Sequence, residues 1–194
     1  MKGNRAVARR LRLFALLALP VMAACDDSFG PRPWDASPDT VTLYSASRPE
    51  LLGLPAGFDF IQPQRVLLEA PGGASAWDIA LIEEEGRFVL LPSGAFEPLV
   101  SRAAIAASTE TSLEAVERAP DGADAFGTEG LPIEVGAIYI VRTRAATCDV
   151  FGTSGSRYAK LQAIEIDEAM GTFRFAAVSN PFCNDRALIP PEDD

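Results

Sequence analysis

Apolar residues in this chain recur at every second position or in short continuous runs, seldom at helical spacing. The pattern predicts strands over Val41–Tyr44, Phe58–Ile61, Arg65–Glu69, Trp77–Ile82, Arg87–Leu91, Ile133–Val135, Ala137–Thr143, Arg157–Ile166 and Thr172–Val178. Phe173 and Phe175 alternate with Thr172, Arg174 and Ala176, as in a strand with one face buried. The same alternation puts Trp77, Ile79 and Leu81 on one face, and Asp78 and Ala80 on the other. Ala137–Val141 is apolar on both faces and is expected to be a central strand. Turn signals separate the runs at Pro71-Gly72-Gly73, Glu85-Gly86, Pro92-Ser93-Gly94 and Asp167 to Gly171.

Two adjacent pairs are expected to form hairpins: Trp77–Ile82 with Arg87–Leu91, and Arg157–Ile166 with Thr172–Val178. Between Leu99 and Ala119 the strand pattern weakens, and Ser112–Arg118 offers at most a short helix capped by Ser112. Residues 120–130 read as an acidic, glycine-containing loop, and no internal repeat is present. The expected fold is mainly β: an antiparallel sheet or sandwich of about eight to nine short strands with at most one or two short helices. It occupies a single domain over residues 39–194.

The first 24 residues read differently. Lys2, Arg5, Arg9, Arg10 and Arg12 precede a 12-residue apolar run, Leu13 to Ala24, too short to span a bilayer as a helix. A basic head, a short apolar middle and small exit residues form the layout of an export signal. Met22-Ala23-Ala24-Cys25 resembles the bacterial lipobox, which implies fatty (palmitate-type) acylation of Cys25 and anchoring in a membrane. Residues 25–38, polar and rich in Pro, Gly and Asp, are expected to be a flexible tether.

Export changes both the charge and the cysteine count. Removing residues 1–24 takes five of 17 basic residues and none of 27 acids, which leaves 12 against 27, a net charge of −15. So acidic a body is repelled by nucleic acid and by anionic headgroups, so nucleic acid is not an expected partner. With Cys25 assigned to lipid, Cys148 and Cys183 remain as an even pair in an oxidising compartment, and a disulfide is expected. It would clamp the open end of the second hairpin, which the two cysteines bracket.

The chain contains no histidine, which removes Ser-His-Asp and Cys-His catalysis and His-ligated zinc. Gly152-Thr153-Ser154-Gly155 lacks the ending of a phosphate loop and reads as a tight connection. Asp121, Asp124 and Glu129 do not follow the EF-hand order, because Phe126 stands where glycine is required. Glu165, Asp167 and Glu168 fall at a hairpin end, where solvated acids are ordinary. Arg142 and Arg144 flank Thr143, and strand alternation would put both on one face, able to grip a carboxylate. The competing expectation is that they pair with the protein's own acids. Met170, the one methionine left after cleavage, offers a thioether or simply packs in a turn.

Several of these pieces, in this order, resemble the HmuY-type haem-binding bacterial lipoproteins. They are the lipobox, Phe58-Asp59-Phe60, Trp77-Asp78-Ile79-Ala80, Tyr158-Ala159-Lys160-Leu161-Gln162 and a closing strand Gly171 to Phe175. The resemblance implies a β domain on an acylated tether at the cell envelope, on the periplasmic or outer-surface side. It does not carry the family's ligands, since haem iron there is held by histidines and this chain has none. Haem, if bound, would draw on Met170 with a weak second partner, on a tyrosinate such as Tyr139 or Tyr158, or on porphyrin contact without axial ligation. The expected function is non-catalytic: capture of a small hydrophobic or anionic ligand at the membrane surface. The alternative is a structural or assembly lipoprotein whose partner is another envelope protein or a glycan.

Overall fold

A computed structural model describes Trp34 and residues 36–96, 102–148 and 151–191. The export signal, Cys25 and most of the expected tether lie outside the described residues.

The domain is mainly β, with twelve described strands. They are β1 Asp39–Tyr44, β2 Gly57–Asp59, β3 Gln64–Val66, β4 Ile79–Glu84, β5 Arg87–Pro92, β6 Ala104–Ala107, β7 Leu131–Pro132, β8 Ile138–Arg142, β9 Ala146–Thr147, β10 Ser154–Gly155, β11 Tyr158–Asp167 and β12 Thr172–Ser179. Ten of them form two five-stranded antiparallel sheets, ordered β1-β12-β11-β8-β6 and β3-β2-β4-β5-β7; β9 and β10 form a small separate hairpin. The described helical segments are 3-10 turns of three residues each.

The inner faces of the two sheets meet in one core. Val41, Leu43, Tyr139, Val141, Leu161, Phe173 and Phe175 come from the first sheet, and Phe58, Ile79, Leu81, Phe88 and Leu90 from the second. Phe58 packs edge-on to Phe175 at 5.7 Å, which joins the layers by an aromatic contact. Both expected hairpins form, β4 with β5 and β11 with β12. The expected interior strand appears as β8, paired on both sides and buried on both faces.

A second core lies on the outer face of the first sheet. Ala104, Ala106, Ile138, Ile140 and Val178 project outward, and Leu113, Val116, Ala119, Phe126 and Leu188 cover them. The cover is an irregular strap, residues 108–127, with part of the C-terminal segment. Backbone bonds Ala119 N–H to Arg186 O (2.8 Å) and Leu188 N–H to Glu117 O (2.7 Å) join these two segments.

Some expectations need correction. The strand count exceeds eight to nine because β6 lies where the pattern weakens, and β9 and β10 are only two residues each. Ser112–Arg118 is a turn, not a helix: the Ser112 hydroxyl accepts the Ala115 amide at 3.3 Å without propagating. Trp77 does not share a face with Ile79 and Leu81. Strand β4 starts after it, and its indole packs with Val66 and Ala80 on the outer side of the second sheet. The strand placed at Ile133–Val135 is β7, two residues earlier, and Val135 is exposed. The end of the expected tether lies on the domain: Trp34 meets the Phe182 ring edge-on at 6.4 Å, and Ala36 packs on the second core.

Candidate functional site

A buried polar cluster that joins the two sheets surrounds Arg144, just beyond β8. Its guanidinium reaches the second sheet and grips Asp59 with two hydrogen bonds, 3.0 Å to Oδ1 and 2.9 Å to Oδ2. The same Nη1 lies 3.1 Å from Asp78 Oδ1, and the Arg144 backbone amide donates to that oxygen at 2.8 Å. Both carboxylates are buried, Asp78 completely. Asp59 Oδ1 also accepts the amides of Ile61 and Gln62, and Asp78 Oδ2 accepts the Phe60 amide at 2.7 Å. The chain therefore folds so that the end of β2, the start of β4 and the end of β8 meet at one cation.

The titration of this cluster follows from burial and charge. Burial lifts the Asp78 carboxyl to about 6, with Arg144 and two backbone amides pulling it down and the Asp59 charge pushing it up. Burial alone would lower the Arg144 pKa, but the two carboxylates reverse that and hold it above its ordinary value. Arg157 adds a second bridge: its Nη1 donates to Ile61 O at 2.8 Å, while its amide bonds Thr143 Oγ1 at 2.9 Å. Chemically, Arg144 is occupied by the protein's own acids, and the cluster ties one sheet to the other.

Arg142 goes elsewhere. Strand β8 ends at Arg142, so the alternation that would put Arg142 and Arg144 on one face stops there. Arg142 lies on the outer side, its guanidinium carbon 5.2 Å from the Phe126 ring centre and its Nε donating to Arg102 O. Tyr158 is directly opposite Arg142 across the β8–β11 ladder, and its ring lies 6.0 Å from Phe126. Arg142 and Tyr158 are thus the two predicted ligand residues that the fold brings together.

The others stay apart. Tyr139 is buried in the inner core; its hydroxyl donates to Pro132 O at 2.8 Å and accepts the Glu134 amide at 2.9 Å. Burial pushes its phenol above the usual range, against the tyrosinate an iron would need. Met170 is exposed in the turn after β11. Tyr158 opens the ten-residue β11 and Met170 lies beyond its other end, roughly 30 Å away along extended chain. No single haem iron could take both.

Cys148 and Cys183 form the expected disulfide, with Cα atoms 5.6 Å apart, beside the β9–β10 hairpin. Among the described residues, no group of three or more Cys, Asp or Glu side chains is placed to hold a metal ion. Glu165 pairs with Arg174, and Asp167 accepts the Met170 amide, so these acids do not face each other across a cleft.

Two elements escaped sequence reasoning. Asp59 and Asp78 sit inside the Phe-Asp-Phe and Trp-Asp-Ile-Ala motifs, but nothing in their spacing pointed to Arg144, more than sixty residues later in the chain. Lys160, the lone lysine after residue 24, is buried on the outer face of the first sheet and donates to Val116 O at 2.9 Å, which pins the strap. Desolvation lowers its pKa. A lysine between Ala159 and Leu161, both of them apolar, was the available signal. Comparison with protein-family models and with curated proteins finds no match for the chain.

Proposed function

We propose that this chain is an exported, lipid-anchored, non-catalytic β-sandwich of the cell envelope that acts by docking its surface to another envelope macromolecule. The observation that carries the reading is the partition of the cysteines. Cys148 and Cys183 are joined, so Cys25, in Met-Ala-Ala-Cys after a basic and apolar leader, is the one left for acylation. The dispersal of the candidate ligand residues favours docking over enclosure: Arg144 is held by Asp59 and Asp78, Tyr139 by Pro132 and Glu134, and Met170 lies in the turn beyond the far end of β11.

Place and mode are tested separately. The intact mass of the N-terminal peptide, from the full chain expressed in a Gram-negative host, should show acylated Cys25 as the first residue. Cys25→Ser should abolish that species; an unprocessed Met1 terminus in the unsubstituted chain would refute the anchor.

Small-ligand capture, the second reading, draws on one observation, the cluster of Arg142, Phe126 and Tyr158 on the outer face. Haemin added to the purified chain distinguishes the modes. A Soret band identical to that of free haemin supports docking. A shifted band that Tyr158→Phe or Arg142→Ala removes would establish capture instead.

A further inference from the structure

The four edges of the two sheets are not equally protected. Strand β6 is covered, because Ile105 and Gly127 exchange both backbone hydrogen bonds at 2.9 Å. Strand β7 has two residues, one of them Pro132. Strand β3 has three and presents the charged Arg65. Short strands, proline and charge are the usual ways of blunting an edge. Strand β1 has none of these over residues 40–43, Thr-Val-Thr-Leu; beyond them Pro55 covers the edge at Tyr44.

The direction of its free groups follows from two bonds. The Tyr44 amide donates to Pro55 O at 3.0 Å, away from β12, whereas the Ser45 amide donates to Gly171 O, toward β12. In an antiparallel ladder the groups of alternate residues point the same way. The amides and carbonyls of Thr42 and Thr40 therefore point out of the sheet, and no described group bonds them. Val41 and Leu43 are buried in the inner core, so the strand cannot slip by one residue without turning them to water.

We propose that the β1 edge pairs with β1 of a second copy of this chain, making one continuous sheet across a two-fold axis. This deepens the docking reading and rests on it. The register is self-complementary: with Val41 opposite its own equivalent, Thr40 of each copy faces Thr42 of the other, and each such pair exchanges both hydrogen bonds. Asp39 then lies opposite Leu43 and not opposite another acid. Charge also selects this surface, because the mature chain carries −15 and a stretch without charged side chains is where two copies repel least. An anchor at Cys25, fourteen residues before β1, holds every copy close to one bilayer, which raises the effective concentration of this partner over any soluble one.

The test is sedimentation equilibrium of the full chain in mild detergent over a hundredfold concentration range, with acylation read by mass in the same sample. A dimer is expected for the unsubstituted chain. Thr42→Pro removes only an outward amide, which an edge strand tolerates, so it should leave circular dichroism unchanged and shift the chain to monomer. Thr40→Pro is the second variant should Thr42→Pro fail to fold. An acylated chain that stays monomeric, or a dimer that both proline variants retain, overturns the pairing while the anchor stands. A dimer without acylation overturns the anchor while the pairing stands.

Discussion

The two faces of the first sheet are covered in different ways. Its inner face meets a second sheet, and the contact is made by large regular side chains, with Phe173 and Phe175 fully buried and ring centres 5.2 Å apart. Its outer face meets an irregular strap and a short C-terminal segment, and there the small residues Ala104 and Ala106 sit beside Ile138 and Ile140. The layer on the inner side is itself a sheet held by strand ladders; the layer on the outer side is a strap held by isolated bonds, among them Lys160 to Val116 O and Leu188 to Glu117 O. Stability in such a molecule is uneven, and the cover held by few isolated bonds opens first.

The inner side should give the largest losses. Phe175→Ala removes a ring in contact with both Phe58 and Phe173, and should cost about 3–5 kcal/mol in urea denaturation. Arg144→Met leaves Asp59 and Asp78 buried without their cation. Because the guanidinium is partly solvated, the expected loss is about 2–4 kcal/mol, below that for a fully enclosed pair. The outer side should respond less: Leu188→Ala is expected to cost about 2–3 kcal/mol, and chiefly to loosen the strap. Equal losses for Leu188→Ala and Phe175→Ala would erase the contrast.

The smallest effect is one of pH. Asp78 binds its proton more tightly in the folded chain, at about 6 against its ordinary 3.8. Its contribution to stability is thus complete below pH 3.8 and is lost as pH rises through about 6. Asp78→Asn should flatten the denaturation midpoint over that window while leaving its slope at higher pH unchanged. Parallel curves for the two proteins would place the titration elsewhere.

How much of this was legible in the sequence divides along the same line. The inner face follows a period of two, so Phe173, Phe175, Ile79 and Leu81 could be placed from alternation alone. The strap could not. Leu113 and Val116 are three residues apart, as on a helix, yet they form only a turn and its exit; they and Phe126 are fixed by contact with a distant surface and not by a backbone repeat. The disulfide was legible from cysteine counting. The partners of Arg144 were not, since a carboxylate 66 residues away in the chain leaves no local signature. Alternation also misplaced Arg144, because it assumes a strand that continues and β8 ends at Arg142.

Native-state hydrogen exchange tests the unevenness most directly. The amides of Ala119 and Leu188, which hold the strap to the C-terminal segment, should exchange through a local opening of lower free energy than the amides in the middle of β11 and β12. Exchange of both sets at the single free energy of global unfolding would contradict the account.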